Sequence, residues 1–169
     1  LSGAASLRQP GLASFLGRAT STSMTTHRDA NGVLCLNGIP LEGLSQVEGV
    51  GTPTYVYDLD AMAAEARAIE AAFEGTPHLA AYAVKANSAG PVVRALAAEG
   101  CGADVVSGTE LVLAHRCGIP VDKIIFSGVA KTDDEIDLAL SIGDTGIRAI
   151  NAESVEEVQR VIARAKALG

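Results

Sequence analysis

The sequence lacks the long apolar run that a membrane-spanning helix requires. No stretch approaches the roughly eighteen consecutive apolar residues that indicate a bilayer span, so we expect no membrane partner. Cysteine is scarce as well: Cys35, Cys101 and Cys117 are scattered and form no CxxC pair. This pattern argues against a disulfide framework and favours reduced thiols in an intracellular protein. The three histidines show no metal-ligand spacing, so we expect no metal site.

Charge is distributed unevenly, and no basic stripe is present. Residues 1–28 carry no acid, so all 20 acidic residues fall in the rest of the chain. An acidic body without a basic stripe argues against nucleic-acid binding. Residues 1–23 are rich in Ser, Ala and Gly and contain arginine, which is typical of an organelle transit peptide. We favour the alternative that Met24 is the true start of a cytoplasmic protein, because the sequence after it runs directly into the body.

The body begins with a pattern typical of a β-hairpin. Two short apolar runs, at residues 33–36 and 39–41, flank an Asn-Gly dipeptide at residues 37–38. This dipeptide suits a type I′ turn, whose two central residues both have positive φ. A β-prone Tyr-Val-Tyr triplet at residues 55–57 follows a glycine-rich connection.

Helical and strand patterns then alternate to the end of the sequence. Asp58 or Asp60 is expected to cap a helix that continues to Phe73. Four strands and four helices follow at a period of about 20–25 residues, which indicates a parallel sheet with right-handed crossovers. The expected strands are 79–87, 102–107, 123–128 and 146–151, and the expected helices are 91–99, 109–116, 132–141 and 154–168.

Two α/β architectures fit this alternation, an open doubly wound sheet and a (β/α)₈ barrel. A dinucleotide-binding sheet needs GxGxxG and a P-loop needs GxxxxGK[ST], and neither pattern occurs. In a barrel, functional residues collect at the carboxyl ends of the strands. Polar residues occupy these positions here, although strand ends also carry ordinary helix caps: Lys85, Asn87, Ser107, Thr109, Glu110, Ser127, Asn151 and Glu153.

Lys85 ends an otherwise apolar strand pattern, LAAYAVKANS, at residues 79–88. Such a run suits a strand that is buried on both faces. An ammonium at its exit has to be paired, neutralised or used in chemistry; the simpler alternative is a solvated lysine just beyond the sheet. Asp104 lies within the next strand pattern, where an unpaired carboxylate is costly, so Lys85 is its candidate partner.

The segment YAVKAN at residues 82–87 resembles the lysine motif of the pyridoxal-phosphate enzymes built on an alanine-racemase-like barrel. TPTYVYDLDAM, YAVKAN, GADVVSGTEL, FSGVAKTDDEI and INAES occur in an order and spacing similar to the ornithine/diaminopimelate/arginine decarboxylase family. The resemblance covers roughly residues 33–169. FSGVAKT and GADVVSGTEL are its more specific parts, and they favour family members that act on diaminopimelate over those that act on ornithine.

The resemblance implies a fold, an activity and a set of site residues. The implied fold is a partial (β/α)₈ barrel of about four βα units over residues 59–169. It follows a leader, residues 1–28, and a β segment, residues 29–58, that belongs partly to a second β-domain. The implied activity is pyridoxal 5′-phosphate-dependent decarboxylation of meso-2,6-diaminopimelate to L-lysine and CO₂. Lys85 would form the Schiff base with this cofactor. Ala83 would lie under its ring, with Asp104 and Glu110 as acids near the lysine.

The family's glycine-rich phosphate loop, the acid facing the pyridine nitrogen and the catalytic cysteine would all fall beyond Gly169. The sequence is therefore expected to be the amino-terminal part of a longer enzyme, inactive alone and a homodimer at full length. Three alternatives stay open: a non-catalytic pyridoxal-phosphate carrier, a decarboxylase of another basic amino acid, and a half-barrel without a ligand. The hairpin pattern and FSGVAKT argue against the carrier.

Overall fold

The computed structural model describes residues 26–169. The transit-like segment 1–23 and the expected start at Met24 lie outside this range. Two units are distinguished, Leu1–Ala61 and Met62–Gly169. Within the described range, no helix is both long enough and apolar enough to cross a bilayer.

The first unit contains a small antiparallel sheet. Its strands are β1 (Thr26–Arg28), β2 (Leu34–Leu36) and β3 (Ile39–Pro40), in that spatial order. Asn37 and Gly38 have φ of 50° and 77°, as a type I′ turn requires, which confirms the predicted hairpin. The sequence does not predict β1, because Thr26, His27 and Arg28 show no apolar alternation. In the structure all three residues are exposed.

The β-prone triplet at residues 55–57 forms no strand. Its side chains are exposed, Tyr55 at 89%, and no strand among residues 26–169 pairs with it. β-propensity reflects how well a side chain fits a pleated, half-buried surface. Without a neighbouring strand, the propensity of these residues does not produce β structure.

The second unit is a parallel sheet with helices between its strands. Helix α1 (Leu59–Ala72) has its first turn in the first unit and the rest in the second. It begins after Asp58, whose Oδ1 accepts the Ala61 N–H at 3.0 Å, so Asp58 is its N-cap. The sheet has the order β4-β5-β6-β7, and every neighbouring pair is parallel. The strands are β4 (Ala81–Ala83), β5 (Gly102–Val105), β6 (Ile124–Phe126) and β7 (Ala149–Ile150). The helices after them are α2 (Gly90–Ala98), α3 (Gly108–Arg116), α4 (Asp133–Ser141) and α5 (Val155–Leu168).

This topology confirms the predicted fold class, a partial (β/α)₈ barrel of four βα units. The helices lie at nearly their predicted bounds, whereas the strands are shorter. After β4 the chain turns into a 3₁₀ helix, Val84–Ala86, so the predicted strand 79–87 shortens to three residues. A strand lasts only while its backbone pairs with a neighbour, and residue patterns do not show where that pairing ends.

The two faces of the sheet differ in what covers them. On one face, Ala103, Val105, Ile124 and Phe126 are fully buried beneath the helices. Successive strand residues point to opposite faces, so the alternate positions form a row on the other face. The register pairs Asp104 with Ala83 and with Ile125, and Ile125 with Ala149. On the first face, the one covered by the helices, the helix residues Leu111, Ala114 and Ala139 complete the core.

Hydroxyl caps fix three helix starts at the carboxyl edge of the sheet. Ser107, Thr132 and Ser154 accept the N–H of the glutamate three residues later, at 3.2, 3.3 and 3.1 Å. Thr132 and Glu135 form a full capping box. At Ser154 the box is only half formed, because the carboxylate of Glu157 accepts the N–H of Glu153 at 2.7 Å instead.

Candidate functional site

The carboxyl ends of the four parallel strands bring polar residues to one edge of the sheet. Lys85, Ser127 and Asn151 follow β4, β6 and β7, and Asp104 lies near the end of β5. The structure thus places the four residues toward the same end of a sheet whose strand order follows the chain, and it confirms the expected strand-end positions of Lys85, Ser127 and Asn151. Asn151 Nδ2 donates to Ser127 Oγ at 2.9 Å, which joins the exits of β6 and β7.

Lys85 lies in the 3₁₀ helix that follows β4, and its side chain is exposed. Its neighbour Val84 is fully buried in the core, so the backbone at this point is anchored. Among residues 26–169, no acceptor and no ion-pair partner contacts its Nζ. The structure therefore places Lys85 in the solvated position of the simpler alternative, with its amine accessible at the edge.

Asp104 lies on the sheet face opposite the helices, and its Oδ1 is buried without a hydrogen-bond partner among the described residues. The expected Asp104–Lys85 ion pair is not formed in this part of the chain. A buried carboxylate oxygen without a partner costs free energy, because it has lost water without gaining a donor. Asn87 Nδ2, just after Lys85, is a second buried polar atom without a partner in the described range.

Glu110 stabilises the connection between β5 and α3. Its Oε2 accepts the backbone N–H of Val106 at 2.9 Å, and its own N–H donates to Ser107. Ala83, the fourth predicted site residue, is half-buried and presents only a methyl group beside Asp104 in the sheet. The cofactor contacts expected of Ala83, Asp104 and Glu110 stay predictions.

Lys131 is a buried charged residue at this edge that the sequence patterns do not predict as part of the site. It is 1% exposed. Its Nζ donates to Asn151 O at 2.7 Å and to Glu157 Oε1 at 3.2 Å, and it lies 5.5 Å from the centroid of the Phe126 ring. The Glu153 N–H, and then the Lys131 ammonium, hold the pKa of Glu157 below its usual value. The neighbouring residues give no signal for this burial, since Val129, two positions before the lysine, is 73% exposed.

Glu135 links the starts of two successive helices. Its Oε1 accepts the Gly108 N–H at 2.8 Å, and its Oε2 accepts the Thr132 N–H at 2.9 Å. The N–H of Thr132, followed by that of Gly108, lowers the pKa of Glu135 from its usual value of 4.5. The ionised carboxylate therefore stabilises the βα connections after both β5 and β6.

Replacing Glu135 with glutamine should destabilise the full-length protein by about 1 kcal/mol at pH 7. Glutamine keeps one acceptor but turns an N–H donor toward a backbone N–H. Because the pKa of Glu135 is lower in the folded protein than in the unfolded chain, its ionised carboxylate stabilises the fold above pH 4.5. This contribution is lost as the pH falls through the pKa of the folded state. The difference in the free energy of unfolding between the Glu135→Gln variant and the unmodified protein should therefore disappear in acid. Denaturant unfolding at several pH values measures it. Asp134→Asn, in the same helix turn, is the control, and a difference independent of pH would contradict this role.

Comparison with known proteins places this arrangement in a family. Residues 59–168 match the family described as pyridoxal-dependent decarboxylase, pyridoxal binding domain. A diaminopimelate decarboxylase of Zymomonas mobilis is 42% identical over 142 residues, covering 82% of this chain and 32% of that protein. One from Pseudomonas aeruginosa is 41% identical over 144 residues, covering 85% of this chain and 33% of that protein.

Solved structures of similar proteins share the fold. Diaminopimelate decarboxylase of Methanocaldococcus jannaschii in complex with L-lysine has a TM-score of 0.74 at 34% identity, covering 86% of this chain and 34% of that chain. The Helicobacter pylori enzyme complexed with L-lysine has a TM-score of 0.68 at 38% identity, covering 76% and 31%. The chain thus spans about a third of the length of these relatives. Since the family match includes Lys85 and most of the chain, the chain belongs to the pyridoxal-dependent decarboxylase family.

Proposed function

We propose that the full-length protein carrying this chain decarboxylates meso-2,6-diaminopimelate to L-lysine and CO₂ with pyridoxal 5′-phosphate. The observation that carries the proposal is the accessible amine of Lys85, held at the carboxyl edge within the match to a pyridoxal-binding domain. The relatives' names support the substrate, and two solved relatives hold L-lysine, the expected product. By resemblance alone, we extend the proposal to a homodimer.

The residues at the edge fit the cofactor. Asp104 Oδ1 and Asn87 Nδ2 are a buried acceptor and a buried donor without partners among residues 26–169, so a polar ligand would satisfy them. Ala83, beside Asp104 in the sheet, adds only a methyl group, so its side chain is small enough to lie under a ring, as the resemblance implies. When bound, pyridoxal phosphate supplies an aldehyde that reacts with amines and a ring that accepts the electrons released with CO₂.

Each residue has a separate role in this proposal. Lys85 would supply the amine that holds the cofactor, and the substrate amine would take its place there. Its exposed position lets both ligands reach it without opening the core. Asp104, one strand away, presents a carboxyl group on the sheet face opposite the helices, where its buried Oδ1 can accept an N–H from a ligand. Glu110 holds the β5–α3 connection beneath the site through Val106.

The other lysines near the sheet are less suited to this role. Lys123 precedes β6, at the amino end of the strand, and its Nζ donates to Gly100 O at 2.9 Å. Lys131 is buried, with its ammonium bound to a carbonyl and a carboxylate. Both amines are engaged, so Lys85 combines the correct edge with an accessible amine.

Borohydride reduction of the full-length enzyme with its cofactor should attach a pyridoxyl group to Lys85. Peptide mass analysis after proteolysis identifies the labelled lysine directly, with enzyme freed of cofactor as the control. A label on Lys123 or Lys131 with none on Lys85 would show that the proposed site is wrong. No label on any lysine would overturn the proposed use of the cofactor.

A further inference from the structure

Lys131 is a buried cation whose polar partners come from two other segments of the chain. The lysine lies in the connection between β6 and α4, whereas Asn151 follows β7 and Glu157 belongs to α5. Its own carbonyl accepts an N–H from Arg160 at 2.9 Å. A buried ammonium persists only where acceptors replace the lost water. One side chain therefore joins the exits of two neighbouring strands.

The two joined segments carry the hydrogen-bonded pair Ser127 and Asn151. Asn151 Nδ2 donates to Ser127 Oγ at 2.9 Å. This bond uses one amide proton and one hydroxyl lone pair, so the Ser127 hydroxyl can still donate and Asn151 Oδ1 can still accept. No described residue is bonded to that Oδ1, and Asn151 is exposed. The pair thus offers one donor and one acceptor at the carboxyl edge.

Lys131 sets the position of this pair through the backbone. Its ammonium holds the carbonyl of Asn151 itself, at 2.7 Å, so the lysine restrains the residue whose side chain reaches Ser127. On the other side, Gly128 follows Ser127 and packs directly on the backbone of Val106. Ser127 is therefore fixed by close packing, and Asn151 is fixed by Lys131.

We propose that Lys131 is a positioning residue that holds the Ser127–Asn151 pair where it hydrogen-bonds the substrate or cofactor at the carboxyl edge. The inference rests on the proposed function, since it assigns residues to the binding of those ligands. Lys131 itself touches neither ligand, because its side chain is buried and its ammonium is bound within the protein.

A double-mutant cycle between Lys131→Met and Asn151→Ala in the full-length enzyme tests this role. Each single variant should raise KM for meso-diaminopimelate, or the Kd of pyridoxal phosphate measured by absorbance titration, by about tenfold. The double variant should show no more than the larger single effect, because Lys131 acts through the Asn151 side chain. If Lys131 were purely structural, its substitution would lower stability without changing KM or Kd. If the two single effects multiplied in the double variant, Lys131 and Asn151 would act independently. Either result overturns the proposal.

Glu157→Gln provides a second route if Lys131→Met does not fold. It weakens the hold on the ammonium while keeping the volume of the side chain, and the same cycle with Asn151→Ala applies. Borohydride labelling of the unmodified enzyme distinguishes failure of the proposed function from failure of the positioning role of Lys131. No pyridoxyl label on Lys85 overturns the proposed function and the positioning role together. A normal label with unchanged or multiplied KM and Kd effects overturns the positioning role alone.

Discussion

Replacing Lys85 with alanine in the full-length enzyme should reduce decarboxylation of meso-diaminopimelate by a factor on the order of 10³ or more. The amine that attaches the cofactor is then missing, and neither Lys123 nor Lys131 has a free amine to replace it. Lys85→Arg should fail as badly, because a guanidinium stays protonated and cannot act as a nucleophile. Release of CO₂ from labelled substrate measures the loss.

The matched control for Lys85 is Lys123→Ala. Lys123 is also adjacent to a sheet strand, but it lies at the amino end, so activity should stay within about twofold of the unmodified enzyme. The Lys85 side chain is exposed and makes no hydrogen bond to the other described residues. Lys85→Ala and Lys85→Arg should therefore both fold, and unfold at nearly unchanged denaturant concentrations. Retention of more than about a tenth of the activity by Lys85→Ala would rule out the role assigned to this lysine.

Alanine at Gly128 should destabilise the full-length protein by about 2 kcal/mol. A Cβ at this position would lie 2.4 Å from Val106 O and 2.9 Å from Val106 C. These are backbone atoms next to β5, so they cannot move aside as a flexible side chain would. The β6–α4 connection must shift instead, and the shift disturbs packing around the carboxyl edge. The midpoint of denaturant unfolding measures the loss of stability.

Gly51→Ala is the matched control for this effect. A Cβ at Gly51 has no heavy atom within 4 Å, and the backbone there is not left-handed. The stability change should therefore stay within about 0.5 kcal/mol. Equal effects at Gly51 and Gly128 would mean that the close approach to Val106 does not limit the residue at position 128.

The fold is largely predictable because its signals are local. Apolar periodicity, an aspartate or hydroxyl cap and a following acid predict helices close to their observed bounds. At α4, Thr132 and Glu135 form a full capping box. The hairpin follows from Asn37 and Gly38, whose types favour positive φ. Alternation of strands and helices then predicts a parallel sheet, and the structure has one, with its strands in chain order.

The site is predictable only in part, because its contacts join distant residues. The position of Lys85 at the carboxyl edge follows from the strand pattern, but its exposure and the absence of an Asp104 partner do not. Both depend on how the chain turns after β4. The burial of Lys131 depends on Asn151 and Glu157, 20 and 26 residues away. Residue patterns within one element contain no information about such pairs.

The glutamates at the helix starts also make the final hydrogen bonding of each βα unit depend on the next unit along the chain. Glu135 reaches back 27 residues to the Gly108 N–H, and Glu157 reaches back 26 residues to Lys131. Each of these groups belongs to the preceding βα unit and finds its partner only in the following one. During synthesis from the amino terminus, a unit therefore cannot reach its final hydrogen bonding until the next has left the ribosome. Co-translational folding of this chain should lag behind elongation by about one βα unit.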